Sequence, residues 1–453
     1  MYTFAPKLRM IALIAMGLGL ILFVAGYFMN SSNGMDYVQE QMAQNPEVFH
    51  VQQEHVVDSG EGHHEVNGIH GEAGAAHVDH HAEHLLHKYH NKPWSALLIA
   101  SFMFTGVAAA AMFFLAIQHV SQAGWSVIVT RIMEAVTAFL PYGAVLMLIV
   151  LVGSAFHLNH LYHWMDLDLR NFESENFDKF LKTKEPWLNT PFWLIRSVIY
   201  LLLWIFAAWM LRKKSRILDE NPTTENYWSL YKWGVIAIVI FALTSMASGW
   251  DWVMSIDPHW YSTLFGWYVM VSYLVTAIAI FTLIAIHLKK GGFLPVFNDN
   301  HLHDLTKYLF GFSLLWGYLW LCQFELIWYA NIPEEAVYFQ QRNVEYDWSY
   351  YNMLILNVVV PFLALISSSI KRNYTVVTVL AFVVILGHWW DFFNQMSPGT
   401  VGPWGTFGLL EFGAFFFVGG LFVFVVMNAL TKLKLEPKGN PLYHESKVYE
   451  YPF

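Results

Sequence analysis

Cysteine is almost missing from this sequence of 453 residues, which contains only Cys322. A single cysteine cannot close a disulfide within the chain, and an iron–sulfur cluster takes about four thiolate ligands. The C-x-x-C-H arrangement that attaches haem c is also missing. We therefore predict no cysteine-bound redox centre and assign no catalytic, cofactor-binding or metal-ligating residue, so that electron transfer would belong to partner proteins.

Charged residues are scarce. They make up 13% of the chain, which is about half the share of a soluble domain. Apolar residues make up 56% and aromatic residues 17%. So few charges cannot shield so much apolar surface from water, which indicates a membrane protein. The net charge of −9 and the lack of a long basic run argue against a nucleic-acid partner.

Signatures of common cofactor and enzyme sites are missing as well. Histidines inside the apolar runs are too few for the paired axial ligands of a haem bundle. No Gly-rich phosphate loop, serine triad or zinc-binding H-E-x-x-H helix occurs. These absences favour a membrane protein that works through its polar side chains and its partners.

Ten apolar stretches are long enough to cross a hydrocarbon core of about 30 Å. They lie at about 10–29, 95–117, 134–156, 191–211, 233–250, 264–287, 307–328, 350–370, 373–391 and 408–430. We therefore predict an all-α integral membrane protein with ten transmembrane helices. The first stretch lacks a small-residue cleavage site and is too long for the core of a signal peptide, so we expect it to be retained.

Lysine and arginine predict the orientation of these spans. If the N-terminus is cytoplasmic and the spans alternate, 17 of the 25 basic residues fall on the cytoplasmic side and seven in the outer loops. We therefore expect both termini to be cytoplasmic. The loops 30–93 and 157–190 would then lie on the outer side.

The first outer loop, residues 30–93, carries most of the acidity. It holds 10 acidic residues, 2 lysines and 11 of the 21 histidines, for a net charge of −8. Steps of three and four residues place its last histidines on one helical face: His77, His80, His81, His84, His87 and His90. One interpretation is a metal-binding patch. The other is a solvated, partly helical loop that contacts a partner.

Short similarities indicate an internal duplication of four spans. They recur at equivalent places, in Gln118–His119 and Ile286–His287, in Arg131-x-x-Glu134 and Asp304-x-x-Lys307, and in Trp250–Asp251–Trp252 and Trp390–Asp391–Phe392. The pattern predicts a first helix (1–29), the His-rich loop (30–93), two four-helix bundles (94–262 and 263–392) and a last helix with a C-terminal tail (393–453). The alternative is coincidence among similar apolar segments.

Charged groups inside a bilayer are costly, so they are functional candidates by default. Seven acidic and histidine side chains lie toward the outer ends of spans: His157, His160, Asp251, Asp257, Glu325, His388 and Asp391. Glu325, with its apolar neighbours, is the clearest of them. Such groups suit a proton relay, or a quinol pocket in which a base accepts a hydroxyl proton. The alternative is that they cap helices among interfacial aromatic residues.

A second set of charged residues is expected on the inner side. It consists of Arg131, Glu134, Asp304, Lys307 and Glu411. Two pairs within it have opposite charges at i and i+3, which can pair on one helical face. The set would either continue a proton path or form structural ion pairs, and the second interpretation is favoured.

Three stretches carry a resemblance to a known family. They are FLAIQHVSQAGW at 114–125 leading to Arg131, WDWVMSIDPHWYST at 250–263, and residues 315–335, which end in WYANIPEE. The chain resembles the F subunit of alternative complex III, a bacterial quinol:electron-acceptor oxidoreductase, and through it the NrfD/PsrC-type membrane anchors. The resemblance covers spans two to ten, whereas the His-rich loop has no counterpart in it.

The resemblance implies a bacterial inner-membrane location and paired four-helix bundles. It places haem c and iron–sulfur clusters on partner subunits, and quinol oxidation mainly on an NrfD-like C subunit beside an iron–sulfur subunit. The F subunit would pack against C and provide proton half-channels. The expected partners are therefore the C subunit, the iron–sulfur subunit, multihaem cytochrome c subunits, lipids and a terminal oxidase.

Three functions remain open at this point. The first is a cofactor-free subunit that scaffolds the quinol-oxidising subunit and conducts protons. The second is a quinol-binding subunit with its own periplasmic-side site, lined by His157 and Asp251. The third is a stand-alone secondary transporter, which a repeat of four helices allows.

Overall fold

The computed structural model describes residues 2–45, 49, 82–174 and 177–450, and these residues form helices, turns and loops without a strand. Ten helices in this part of the chain are long and apolar enough to cross a membrane, which confirms the predicted fold class. Numbered as spans 1 to 10, they are Pro6–Ser32, Lys92–Val120, Gly124–Ala155, Thr190–Glu220, Thr224–Ile256, Thr263–Lys290, Asp299–Ala330, Asp347–Leu365, Tyr374–Trp404 and Leu409–Thr431.

Most spans extend beyond their predicted apolar cores, because polar side chains cap the helices outside the hydrocarbon region. The side chain of Asn298 accepts hydrogen bonds from two backbone amides at the start of span 7, and the Thr223 hydroxyl accepts one at the start of span 5. Span 9 shows the largest difference. It continues for three turns past Asp391, so the predicted boundary at residue 392 falls inside a helix.

Two rings of four helices form the body of the protein. Spans 2, 3, 4 and 5 pack in order around the first ring, and spans 6, 7, 8 and 9 around the second. Spans 2 and 6 are buried along nearly their whole length and pack on each other. Span 5 also packs against span 6, and span 9 against span 2. The contact of span 5 with span 6 thus corresponds to the contact of span 9 with span 2, so the two rings pack on each other symmetrically.

Glycine permits the closest helix contact at the centre of the molecule. A Cβ atom on Gly106 of span 2 would lie 1.8 Å from the ring of Tyr273 on span 6. No side chain larger than hydrogen fits there without displacing the ring. The close packing of Gly106 against the Tyr273 ring thus adds to the apolar burial that holds the two rings of helices together.

Spans 1 and 10 form a separate pair at the edge of the two rings. A Cβ atom on Gly19 would lie 2.3 Å from the backbone nitrogen of Phe417, and one on Gly413 would lie 2.5 Å from that of Phe23. Small residues that let two backbones approach closely are a common device of membrane helix pairs. Span 10 then packs against span 2 and connects the pair to the first ring.

The molecule has two ends, which we name the terminal face and the loop face. At the terminal face, the hydroxyl of Tyr2 lies 3.3 Å from Nε2 of His287, and Ser446 donates a hydrogen bond to the carbonyl oxygen of Trp125. Both chain ends therefore share this face. At the loop face, the Asn91 amide donates to the carbonyl oxygens of His160 and Thr400, at 3.0 and 3.2 Å.

Candidate functional site

Asp251, near the end of span 5, is a fully buried carboxylate with a fixed counter-ion. Arg196 of span 4 donates to both of its oxygens, from Nε at 2.9 Å and from Nη2 at 2.8 Å. Trp187 and Tyr200 donate to the same carboxylate at 2.9 and 3.0 Å. The guanidinium carbon of Arg196 also lies 4.1 Å from the ring centre of Trp187. Both charges are therefore neutralised within one closed cluster.

Asp391, on span 9, is equally buried but has different partners. Tyr268 donates a hydrogen bond to Oδ1, while Ser272 and the Trp316 indole donate to Oδ2 at 2.8 and 3.1 Å. All three donors are neutral. No arginine or lysine among the described residues forms an ion pair with Asp391. The two aspartates have similar sequence contexts but opposite electrostatic situations.

His388 lies one turn before Asp391 and is also fully buried. Its Nδ1 atom is 3.5 Å from Oδ2 of Asp391. Neither ring nitrogen has a hydrogen-bond partner among the described residues. The ring meets Trp316 edge-on, with 5.4 Å between ring centres. A buried imidazole with two unused nitrogens beside a carboxylate can accept and pass on a proton.

A narrow cavity of about 20 Å³ separates Asp391 from the helix Pro333–Glu345 at the loop face. This is room for about one or two water molecules. Its wall includes Gln395, whose side-chain amide has no hydrogen-bond partner among the described residues. Unused polar atoms of this kind are the partners that a buried water requires.

Arg342 closes the cavity toward the loop face. The buried guanidinium donates to the carbonyl oxygens of Tyr338, Asn394 and Gln395 at 2.8, 3.0 and 3.1 Å. It also lies 3.7 Å from the carboxylate of Asp257, which is partly exposed. Burial raises the pKa of Tyr338 to about 12, against the opposing effect of Arg342, so this residue stays protonated at neutral pH. A series of polar groups thus extends from the partly exposed Asp257 to the buried Asp391.

Three of the predicted outer residues lie away from this cluster. Glu325 is exposed on the outer surface of span 7, on the side opposite to the buried Gln323 and Ile327. His157 and His160 are exposed at the loop face, after span 3. Asp251 also lies apart from this cluster, in the closed cluster around Arg196. The structure brings together His388, Asp391 and, through Arg342, Asp257.

The predicted inner pair Arg131–Glu134 forms a buried ion pair at 2.5 Å. Arg131 also pairs with Asp219 of span 4 and donates to the hydroxyl of Ser215 at 3.1 Å. Asp219 was not among the predicted inner residues. Since the arginine contacts both carboxylates directly, the favoured interpretation as a structural ion pair fits the geometry.

Asp304 makes its main contact with the C-terminal tail. The hydroxyl of Tyr449 donates to its Oδ2 at 2.5 Å, while Nζ of Lys307 is 3.6 Å from Oδ1. The neighbouring His301 ring lies 3.0 Å from the carbonyl oxygen of Ser446. The tail therefore covers this end of span 7 and fixes it to the terminal face.

The predicted place of Glu411 on the inner side is wrong. Glu411 lies in the first turn of span 10 and accepts a hydrogen bond from the Gly408 amide at 2.8 Å. The same end of the molecule holds Lys92, whose ammonium donates to the hydroxyl of Thr406 at 3.1 Å. Glu411 is a helix cap at the loop face, opposite to Arg131. Span 10 begins at the loop face, so its first turn lies at the opposite end of the molecule from Arg131.

The described part of the His-rich loop packs over the loop face. Residues 82–90 are helical, and their ring contacts join His84 to His163 and His87 to His160, with 6.3 and 5.1 Å between ring centres. Among the residues that the structure describes, no group of three or more His, Cys, Asp or Glu side chains is arranged to hold a metal ion. His77, His80 and His81 lie outside the described residues.

Comparisons with known proteins add no assignment to this geometry: no family model and no curated protein matches the sequence.

Proposed function

We propose that this chain is a cofactor-free membrane subunit of a respiratory quinol:electron-acceptor complex, which scaffolds the quinol-oxidising subunit and conducts protons through its second bundle. One observation carries the proton role. It is the buried Asp391–His388 pair, which lacks a cationic partner among the described residues and adjoins a water-sized cavity. The complex, its redox partners and its bacterial inner-membrane location rest on the sequence resemblance.

The proposed path is a half-channel from the loop face. Asp257 collects protons at the surface, Arg342 lies between it and the cavity, and the unused amide of Gln395 holds water beside Asp391. Asp391 and His388 then exchange the proton across 3.5 Å. Acid and histidine chains of this kind are typical of proton relays inside membranes.

Asp251 supports this assignment as an internal contrast. It occupies the corresponding ring in the first bundle, yet Arg196 holds both of its oxygens. Because this pairing occupies both oxygens, the carboxylate has a structural role as the counter-ion of a buried arginine. The first bundle therefore has the structural role, and the second has the proton role.

The scaffolding role is supported by the outer surface of span 7. Glu325 is exposed there, with the exposed side chains of Leu321, Leu326 and Trp328 around it, and it forms no ion pair or hydrogen bond with a described residue. A carboxylate on an apolar membrane helix is costly unless a partner covers it. We expect a partner subunit to contribute a hydrogen-bond donor or a cation at this position.

The two cavities described here do not suit a quinol. The cavity beside Asp391 holds about 20 Å³, whereas small-molecule pockets span about 300–1,000 Å³. A second cavity of about 240 Å³ has neither a carboxylate nor a histidine in its wall. Quinol oxidation needs a base within hydrogen-bond reach, so neither cavity has both the space and the base.

Purification in mild detergent tests the subunit assignment. We expect polypeptides with haem c and iron–sulfur clusters to co-purify with this chain. In that complex, Asp391→Asn should lower coupled proton movement, while Glu325→Ala should lower the yield of assembled complex. A chain that purifies alone as an oligomer and transports a solute in proteoliposomes would contradict the proposal in favour of a secondary transporter.

A further inference from the structure

A cavity of about 240 Å³ at the loop face lies outside the proposed proton path. It opens between the end of span 5 and the segment that precedes span 4. Its wall is mainly aromatic and aliphatic, with Trp187, Leu188, Trp250, Met254, Trp260 and Tyr261. Trp and Tyr gather where a membrane protein meets the interfacial region of the bilayer.

Two of the residues that line this cavity carry a ring N–H group without a partner. The ring N–H groups of Trp250 and Trp260 are buried and make no hydrogen bond with a described residue. Trp260 as a whole is only 5% exposed, and its ring stacks on Tyr338 with 3.9 Å between ring centres. A buried N–H without an acceptor is unfavourable, so both groups favour a ligand that brings acceptor oxygens.

Lys184 adds a positive charge to the same wall. Its ammonium donates to the carbonyl oxygen of Pro258 at 2.6 Å and has two further N–H bonds to offer. The nearest acid, Asp178, is engaged by His259 at 2.5 Å. Burial lowers the pKa of Lys184, partly opposed by Asp178. An anion in the cavity would stabilise the buried positive charge of Lys184.

Two other donors in the wall already have acceptors. The hydroxyl of Ser255 donates to the carbonyl oxygen of Asp251 at 2.6 Å, and the N–H of Trp187 donates to the carboxylate of Asp251. The residues of the wall therefore carry one cation and two unpartnered N–H groups in an apolar setting. That combination matches a ligand with a negative charge, with uncharged acceptor oxygens and with an apolar body.

We propose that this cavity binds the headgroup and glycerol region of an anionic phospholipid. The phosphate oxygens would accept from Lys184, and the ester carbonyl oxygens would accept from the ring N–H groups of Trp260 and Trp250. The acyl chains would continue into the bilayer. The proposal does not depend on the respiratory role, because it follows from the cavity alone.

Native mass spectrometry of the whole purified chain or its complex tests this site. The protein is stripped of lipid and titrated with phosphatidylglycerol or with phosphatidylcholine. We expect one tight site for phosphatidylglycerol. Lys184→Gln should weaken it about tenfold or more, since a charge-assisted hydrogen bond is lost, and Lys184→Arg should restore it. Trp260→Phe, which keeps the stacked ring, should weaken it severalfold.

Lys213 and Trp209 supply matched controls at the other end of span 4, where the ammonium lies 4.9 Å from the indole centre. Lys213→Gln and Trp209→Phe should leave lipid binding unchanged. The proposal is overturned if Lys184→Gln and Trp260→Phe bind phosphatidylglycerol like the unmodified protein. A second result would also overturn it. In that result a short-chain quinone displaces the lipid, and Lys184→Gln binds the quinone as well as the unmodified protein does. The site would then select a neutral carbonyl ligand.

Discussion

Removal of Arg196 should destabilise the first bundle strongly. Arg196 and Asp251 are both buried and share two hydrogen bonds, at 2.9 and 2.8 Å. Breaking a buried pair by deleting one partner costs about 3–5 kcal/mol, because the other charge stays buried without compensation. Trp187 and Tyr200 still donate to Asp251 in Arg196→Met, so we expect a loss of about 3 kcal/mol, at the low end of that range.

Asp251→Asn should cost a similar amount, because it leaves the guanidinium buried without an anion. The double variant should cost about as much as either single variant rather than their sum, since neither charge is then present. Equilibrium unfolding in mixed micelles, followed by tryptophan fluorescence, measures all three. A single variant within about 0.5 kcal/mol of the unmodified protein, or a strictly additive double variant, would refute the reasoning.

Three further predictions concern other parts of the molecule. Gly19→Leu should displace span 1 from span 10, because a Cβ atom alone would lie 2.3 Å from a backbone nitrogen; protease sensitivity of the N-terminus should rise, while Gly17→Leu, at a position with open space, should leave it unchanged. Cys322 is the only cysteine and is partly exposed near Glu325, so maleimide should label it in the isolated chain and be blocked in the assembled complex; equal labelling would place the partner elsewhere. Burial, with a smaller effect of Lys88, lowers the pKa of His163 below its ordinary value of 6.5. The stabilisation from the neutral ring is therefore present above pH 6.5 and is lost as the pH falls through the folded-state pKa; hydrogen exchange of residues 82–90, corrected for intrinsic rates, should rise between pH 7 and pH 5, and less so in His163→Gln.

The spans were predictable because the bilayer fixes the length of an apolar helix. Their ends were not, because capping side chains such as Asn298 and Thr223 extend the helices into water. Span 9 passes Asp391 because the following residues are also buried inside the protein and face neither lipid nor water. Hydropathy detects helix segments that lie in the bilayer, but it misses polar helix segments that are buried inside the protein.

The roles of individual charges were harder to predict. Asp251 and Asp391 have similar neighbours in sequence, yet one is paired with Arg196 and the other with hydroxyl and indole donors. The partners come from adjacent helices. The sequence does not show how each helix is rotated about its axis, and so does not show which side chains face each other. Arg196 was still identifiable in principle, because it is a lone cation inside a span and such charges usually pair within the membrane.

Glu325 shows how helical periodicity corrects a guess based on local hydrophobicity. The buried positions of span 7 recur as Trp316, Leu319, Gln323 and Ile327, at steps of three and four. Glu325 is two residues from Gln323, which places it on the far side of the helix. Apolar neighbours along the chain therefore indicated a membrane environment, but gave no information on which surface the carboxylate occupies.

Proton stoichiometry is the most direct test of the central claim. The assembled complex is reconstituted into liposomes, and protons moved per electron are measured during quinol oxidation. The proposed half-channel predicts that Asp391→Asn and His388→Phe lower this ratio while assembly and electron transfer persist, and that Asp251→Asn leaves the ratio unchanged in whatever protein still assembles. An unchanged ratio in correctly assembled Asp391→Asn and His388→Phe complexes would contradict the account and leave this chain a scaffold alone.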